Sequence, residues 1–377
     1  MPALYQISLS GFKSIRDLPD FKLGRLNVLV GPNGAGKSNL VDFFRMLRAM
    51  ADGGFQRFIT NQGGADGFFF EGPKETKEIG AHLVFGRNEF RFTLEATVAS
   101  DMTIKEEATR FRGSKVGQYP DWRASNWHSH GVGKKESSLP TWKDGRSPDG
   151  KRTIDSYVYE AVASWTVYHF HDTSSSAPMR RPWPARDFRE LLPDAGNIAP
   201  FLLRMRETNA ASYQRIRETI QLIAPFFDDF LLEPETKGDA ELVRLEWRQR
   251  GSRFAFQPYQ FSDGTIRFIC LATALLQPSP PSTVVIDEPE LGLHPVALAT
   301  LAALLHERAG RTQLLVSTQS PALLDHFEPE HVVVVERAEG ASVFKRLESA
   351  ELQHWITDYS LGELVRKDII QAGPRHD

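Results

Sequence analysis

The apolar run Leu26-Asn-Val-Leu-Val30 passes directly into Gly31-Pro-Asn-Gly-Ala-Gly36-Lys37-Ser38 and then into residues 40–50, whose apolar positions suit a helix. That order leaves this part of the chain one arrangement: a strand buried on both faces, a glycine-rich turn, and a helix packed on the sheet. The turn has the spacing G-x-x-x-x-G-K-[ST], the Walker A pattern, in the strand-to-helix context that the pattern requires. Glycines let backbone N–H groups turn inward around an anion, and the helix N-terminus adds partial positive charge. Asn33, Gly34, Ala35, Gly36, Lys37, Ser38 and Asn39 are therefore the expected nucleotide-binding residues. Lys37 is expected to reach the terminal phosphates and Ser38 to ligate Mg2+.

A second set of groups follows at the far end of the chain. Ser282-Thr-Val-Val-Ile-Asp287-Glu288 is an apolar strand that ends in two adjacent carboxylates, where an open α/β sheet places its ligand groups. Asp287 is expected to hold Mg2+, and Glu288 to orient or deprotonate the attacking water. The segment Gln260-Phe-Ser262-Asp-Gly264-Thr sets a hydroxyl and a glycine just before an apolar helix, a second anion-binding helix start. One chain already has its own cradle, so this second one makes most sense closing over nucleotide held by another copy. No N-K-x-D guanine-reading element is present, which prefers adenine by elimination.

Length and composition limit what surrounds these groups. A chain of 377 residues is long for one small domain and short for a nucleotide-binding head with coiled-coil arms, and no heptad run persists over several turns. No apolar stretch of about twenty residues is present, and the N-terminus lacks the basic and apolar regions of a signal peptide. A cytoplasmic protein with no membrane partner is the expectation. The single cysteine, Cys270, lies in an apolar run and reads as core, and a formal charge of −3 neither predicts nor excludes nucleic acid.

The fold class expected is α/β: a P-loop NTPase with an N-terminal antiparallel β lobe, a mainly parallel core sheet and an inserted helical or lid region. The expected divisions are residues 1–98 (β lobe with the cradle), 99–185 (insertion or lid), 186–260 (helical segment and β hairpin) and 261–377 (signature helix, acidic strand and switch lobe). Alternating runs at residues 79–85 and 89–98 predict a hairpin, as do residues 241–247 and 252–257. From 99 to 153 the chain turns polar, with Trp122, Trp127 and Trp142 among Gly, Ser and Pro; both a mobile lid and a function-bearing loop fit that composition. Asn197 is expected to cap a helix through Arg206, and a second helix to run over residues 213–223 with Pro225 ending it. Arg204, Arg206, Arg215 and Arg217 read as a solvated face before a nucleic-acid surface. His169, His171 and Asp172 read as a structural group, because zinc needs three or four convergent ligands.

The cradle, the Ser262-Asp-Gly-Thr signature, the Asp287-Glu288 pair and the Ser317-Thr-Gln-Ser-Pro321 strand end together resemble the ABC-type ATPase heads of the SMC, RecF and overcoming-lysogenization-defect group. Within it the chain looks like the compact bacterial "predicted ATPase" AAA family of AAA-21 type. Residues 168–174, 194–198 and 359–364 are similar to features of that family, so the resemblance covers most of the chain. It implies an ATPase, ATP and Mg2+ as ligands, Ser262 and Gly264 contacting the γ-phosphate in trans, and an ATP-dependent homodimer acting on DNA. It implies equally a nuclease partner for such a head; no acidic cluster of the fused Toprim kind follows residue 340, so a Toprim-like nuclease would be a separate chain, in repair or phage defence. Gln62 is the residue that answers to the family's metal-contacting glutamine. Gln319 stands where many relatives carry a catalytic histidine, and it can donate a hydrogen bond but cannot hold a positive charge, which points to slow turnover. A nucleotide-sensing scaffold that scarcely hydrolyses ATP is the alternative. A transporter ATPase subunit fits less well, because the stretch between cradle and signature is long.

Overall fold

The structure is a computed structural model that describes residues 3–112, 127–147, 150–355, 357–367 and 369–370. Trp122 lies outside the described residues. The chain divides into two compact units, the first formed by residues 1–166, 330–351 and 370–377, the second by residues 167–329 and 352–369.

In the first unit an antiparallel sheet runs in the order Ile15–Lys22, Gln6–Phe12, Glu78–Phe85, Asn88–Ala96, Met102–Phe111, His128–Ser129. Its hairpin Glu78–Phe85/Asn88–Ala96 pairs without a break from Glu78↔Glu95 to Phe85↔Asn88, as the alternation at 79–98 predicts. Period-two burial puts Ile79, Leu83, Phe90, Phe92 and Leu94 inside, where Phe92 stacks on Phe43 of the helix Lys37–Ala51. The strand Met102–Phe111 escapes the sequence reading because its inward positions are not all apolar. Glu107 is fully buried there and accepts from the Ser137 hydroxyl at 2.5 Å and the Ser138 N–H at 2.8 Å. A register shift opposite Thr93 and Leu94 also breaks its alternation. Beside this sheet in sequence, Leu26–Val30 is buried along its whole length and pairs in parallel with Val332–Ala338, which pairs antiparallel with Ala341–Arg346.

In the second unit the strands Thr283–Asp287 and Gln313–Thr318 pair in parallel, Asp287 opposite Ser317. The helices Ile198–Thr208, Ala210–Ile223, Asp263–Leu276 and Pro295–Ala309 belong to this unit. The helix Asp263–Leu276 is almost wholly buried, Cys270 included, and burial pushes that thiol up and leaves it a core residue. A small sheet, Phe227–Leu231, Glu246–Gln249 and Ala255–Phe256, carries Trp247, which stacks on Phe261 with centroids 4.4 Å apart.

Two expectations need correction in detail. Asn197 stands before the helix Ile198–Thr208 but does not cap it with its side chain; its buried amide accepts from Leu192 N–H and donates to the Asp187 and Glu190 carbonyls, tying down the preceding loop. The next helix begins earlier than expected, at Ala210, because Asn209 Oδ1 accepts from Ser212 N–H at 3.0 Å. Three of the four arginines read as a polar face have acidic partners within the unit: Arg204 with Glu207, Arg215 with Glu307 and Arg217 with Asp229. No helix among the described residues is long and apolar enough to cross a membrane.

Candidate functional site

The cradle lies in the first unit. Leu26–Val30 delivers the chain into a loop where Gly34 and Gly36 take left-handed φ angles of 78° and 109°. Gly36 is also the N-cap of the helix Lys37–Ala51, with no side chain capping it. A Cβ on Gly36 would sit 2.0 Å from Ser342 Oγ, and one on Gly31 would sit 2.0 Å from the Val335 carbonyl, so both glycines are needed for space and Gly36 for torsion as well. Lys37 is 4% exposed and its ammonium donates to the Gly31 and Pro32 carbonyls at 2.6 and 3.0 Å. Ala35 and Gly36 are buried, Asn39 is half-buried, and Asn33, Gly34 and Ser38 are exposed.

Behind the loop is a hydroxyl network that sequence reading missed. Ser14 and Ser342 share a hydrogen bond of 2.6 Å, Ser342 donates to the Ala35 carbonyl, and Asn39 Nδ2 donates to Ser14 Oγ, both at 2.5 Å. The loop is therefore fastened by the same two serines that a Cβ on Gly36 would meet. A recess of about 520 Å³ opens beside it, lined by Lys13, Ser14, Asn39, Phe69, Phe70 and Arg337 among others.

The acidic strand end lies in the second unit. Asp287, 7% exposed, accepts from the Ser317 hydroxyl, and its carbonyl bonds to His171 Nε2 at 2.8 Å. Glu288 adopts a φ of 44°, rare for a residue with a Cβ, and is held there by its N–H donating to the Ser317 carbonyl at 2.9 Å. Its carboxylate accepts from Gln319 Nε2. Asp287, Glu288 and Gln319 are thus brought together at the C-terminal edge of two parallel strands.

Glu290, which the sequence reading left without a role, closes the group. Its Oε1 accepts from the Thr318 hydroxyl at 2.7 Å and the Gln319 N–H at 2.9 Å, while Oε2 is buried without a partner. Burial raises this carboxyl above its ordinary range against the lowering effect of those two bonds, and the Glu288 charge adds to the rise. The signal in the sequence was an acidic residue two positions beyond Glu288, before an apolar helix.

The signature turn is in the same unit. Ser262 is the N-cap of the helix Asp263–Leu276; its Oγ accepts from Thr265 N–H at 3.2 Å and is exposed. Gly264 is packed so that a Cβ would meet the Gly292 carbonyl at 2.2 Å. Two buried arginines hold this turn, and neither was found from sequence. Arg180 donates to the Thr173, Pro258 and Phe261 carbonyls and to Asp263, and Arg267 donates to the Phe170, His171 and Leu291 carbonyls. Arg267 thereby links the signature helix to the loop after the acidic pair, and burial lowers its pKa from the ordinary range.

Gln62 stands at the C-terminal end of the helix Phe55–Asn61, exposed, and among the described residues its side chain has no hydrogen bond to either set. Of the expected histidine group, His171 is taken up by the Asp287 carbonyl and His169 is exposed.

A family profile described as "AAA domain, putative AbiEii toxin, Type IV TA system" matches residues 26–325. No curated protein matches in sequence. Two solved structures share the fold. An SMC head bound to the C-terminal winged-helix domain of ScpA aligns with a TM-score of 0.58 at 14% identity, over 93% of this chain and 99% of that one. An SMC head with extended coiled coil, bound to the C-terminal domain of ScpA and derived from Pyrococcus furiosus, aligns with a TM-score of 0.52 at 14% identity, over 95% and 99%. The mixed α/β architecture with parallel and antiparallel sheets is thus that of an SMC head, a P-loop ATPase fold.

Proposed function

We propose, on the premise that the chain belongs to that AAA family, that it is a slow ATP hydrolase whose heads pair around nucleotide. The observation that carries this reading is the cradle. The ammonium of Lys37, a residue 4% exposed in a loop with two left-handed glycines, is held by carbonyl dipoles that phosphate oxygens can replace. The donor set fits a nucleoside triphosphate, with Asn33, Gly34, Ala35, Gly36, Lys37, Ser38 and Asn39 around its phosphates. Ser38 and Asp287 would hold Mg2+, with Gln62 as a further contact, and the ion would neutralise charge on the phosphate oxygens. Glu288 takes a proton from the attacking water, and Gln319, bonded to it here, orients that water as a neutral donor. A neutral donor stabilises developing negative charge less than an imidazolium does, and turnover is slow for that reason.

Ser262 and Gly264 act in trans on the nucleotide of a second copy, so that pairing and hydrolysis are coupled. The exposed Ser262 hydroxyl at the start of a 14-residue helix supports this part. DNA or a separately encoded nuclease is the target of the paired state, in repair or phage defence, and the site of action is the cytoplasm. The nucleotide-sensing scaffold is the second reading, favoured by Gln319. Sedimentation with saturating ATP and Mg2+ separates these. Glu288→Gln should accumulate pairs and lose turnover, whereas Ser262→Arg should bind ATP and stay single. A Glu288→Gln chain that stays single refutes the shared site, and wild-type turnover no higher than that of Glu288→Gln favours the sensor.

A further inference from the structure

We propose that His128, His130 and Asp155 form a binding site for a divalent transition-metal ion, zinc by preference, on the antiparallel lobe of the first unit. The nitrogen and oxygen atoms that these three residues offer all lie within 4.8 Å of one another. They come from two separate stretches of chain, and each is placed by something other than the cluster itself. His128 and His130 alternate on one face of the edge of the sheet, where Thr109 pairs with His128 and Ala108 with Ser129. The His130 N–H donates to the Glu107 carbonyl at 2.8 Å, and the His130 ring packs on Trp142 with centroids 4.2 Å apart. Asp155 is carried by the first turn of the helix Ile154–Ala163, which Thr153 caps.

The geometry is close to that of a filled site. His130 Nε2 lies 3.2 Å from Asp155 Oδ1, and Thr109 Oγ1 lies 3.0 Å from the same nitrogen and 2.5 Å from the same oxygen. Zinc bonds of about 2.0–2.1 Å put tetrahedral ligands roughly 3.4 Å apart, so the His130 to Asp155 edge already has the required length. Only the exposed His128 has to swing inward, a rotamer change with no core to disturb.

The Thr109 hydroxyl, in contact with both His130 and Asp155, stands where it could orient those ligands or supply a fourth oxygen. Burial works against ionisation of Asp155, but hydrogen bonds from His130 and Thr109 with the nearby imidazoles hold its pKa below the ordinary range. Two imidazoles and one carboxylate suit zinc and its neighbours and not Mg2+ or Ca2+, which take oxygen sets. The Lys134 ammonium donates to the His130 carbonyl and to Ser138 Oγ at 2.8 Å. The ion would bind His130 through an unprotonated Nε2 and sit between the ring and Asp155. The consequence is a cross-link between the sheet edge and the helix Ile154–Ala163.

The test uses the full chain, freed of metal by a chelator and titrated with zinc chloride by calorimetry in millimolar Mg2+, which occupies oxygen-rich sites. One equivalent should bind, and zinc should raise the thermal midpoint because it binds only the folded lobe. His128→Ala and Asp155→Asn should each weaken binding at least about tenfold, as loss of even an outer partner does, and should abolish the midpoint shift. Both are mild changes, one at an exposed position and one isosteric, and metal-free midpoints equal to wild type show that the fold survives. Absence of saturable binding overturns the proposal. So does wild-type zinc affinity in either variant, which would place the ion on other histidines.

Discussion

Glu89→Gln tests whether the antiparallel lobe is held by one buried charge cluster. The Glu89 side chain is fully buried, accepting from Arg110 at 2.6 and 3.2 Å, 2.9 Å from His82 Nε2, and paired with Arg112. Burial alone would raise its carboxyl, but the His82 and Arg110 hydrogen bonds and the charges of Arg110 and Arg112 outweigh it and bring the pKa from 4.5 to about 2. A depressed carboxylate contributes stability that is present above the unfolded value and is lost as pH falls through the folded one. At about 1.4 kcal/mol per pKa unit, that difference is worth roughly 3 kcal/mol at pH 7. Glutamine keeps the shape and removes the charge, leaving two arginines without their counter-ion, so the whole deficit should be about 3–5 kcal/mol. Urea unfolding of wild type and variant at pH 7 and at pH 3 reads it. The deficit should shrink by about 2 kcal/mol at pH 3, where the wild-type advantage is being titrated away. A deficit under about 1 kcal/mol at pH 7, or one of the same size at both pH values, refutes the reasoning.

Lys37→Ala should abolish ATP binding, measured by calorimetry, while changing unfolding stability by no more than about 2 kcal/mol, because the side chain gives up two carbonyl bonds. Gly264→Ala puts a methyl 2.2 Å from a backbone carbonyl and should cost about 1–3 kcal/mol while preventing ATP-dependent pairing, read by sedimentation. Glu290→Ala removes the acceptor of the Thr318 hydroxyl and the Gln319 N–H; turnover should drop with ATP affinity unchanged, since the cradle is untouched. If ATP affinity falls as well, Glu290 does more than hold the strand end that carries Gln319.

Features that depend on a few neighbouring residues were legible in the sequence. The buried strand Leu26–Val30, the glycine loop and the helix Lys37–Ala51 follow from a run of apolar residues, two positive φ angles and a lysine, all within 26 residues of chain. The same holds for the strand that ends in Asp287 and for Ser262 as a helix cap, each set by local pattern and side-chain reach. The strand Met102–Phe111 was not legible, since a fully buried Glu107 makes its inward face look polar, and only two serines from residues 137 and 138 explain how that carboxylate is tolerated.

What only the tertiary structure decided are the partnerships between distant residues. Ser14 meets Ser342 across 328 positions, Arg267 reaches the Phe170 carbonyl across 97, and Gln319 meets Glu288 across 31. The proposed metal site depends on packing in the same way: among the described residues His128, His130 and Asp155 converge, while His169, His171 and Asp172 form no such cluster. A residue's backbone preference is set by its own side chain and its nearest neighbours, so it can be read along the chain. A buried polar group must instead find its hydrogen-bond partner wherever packing brings one within about 3 Å, and the sequence separation of the two carries no trace of that distance.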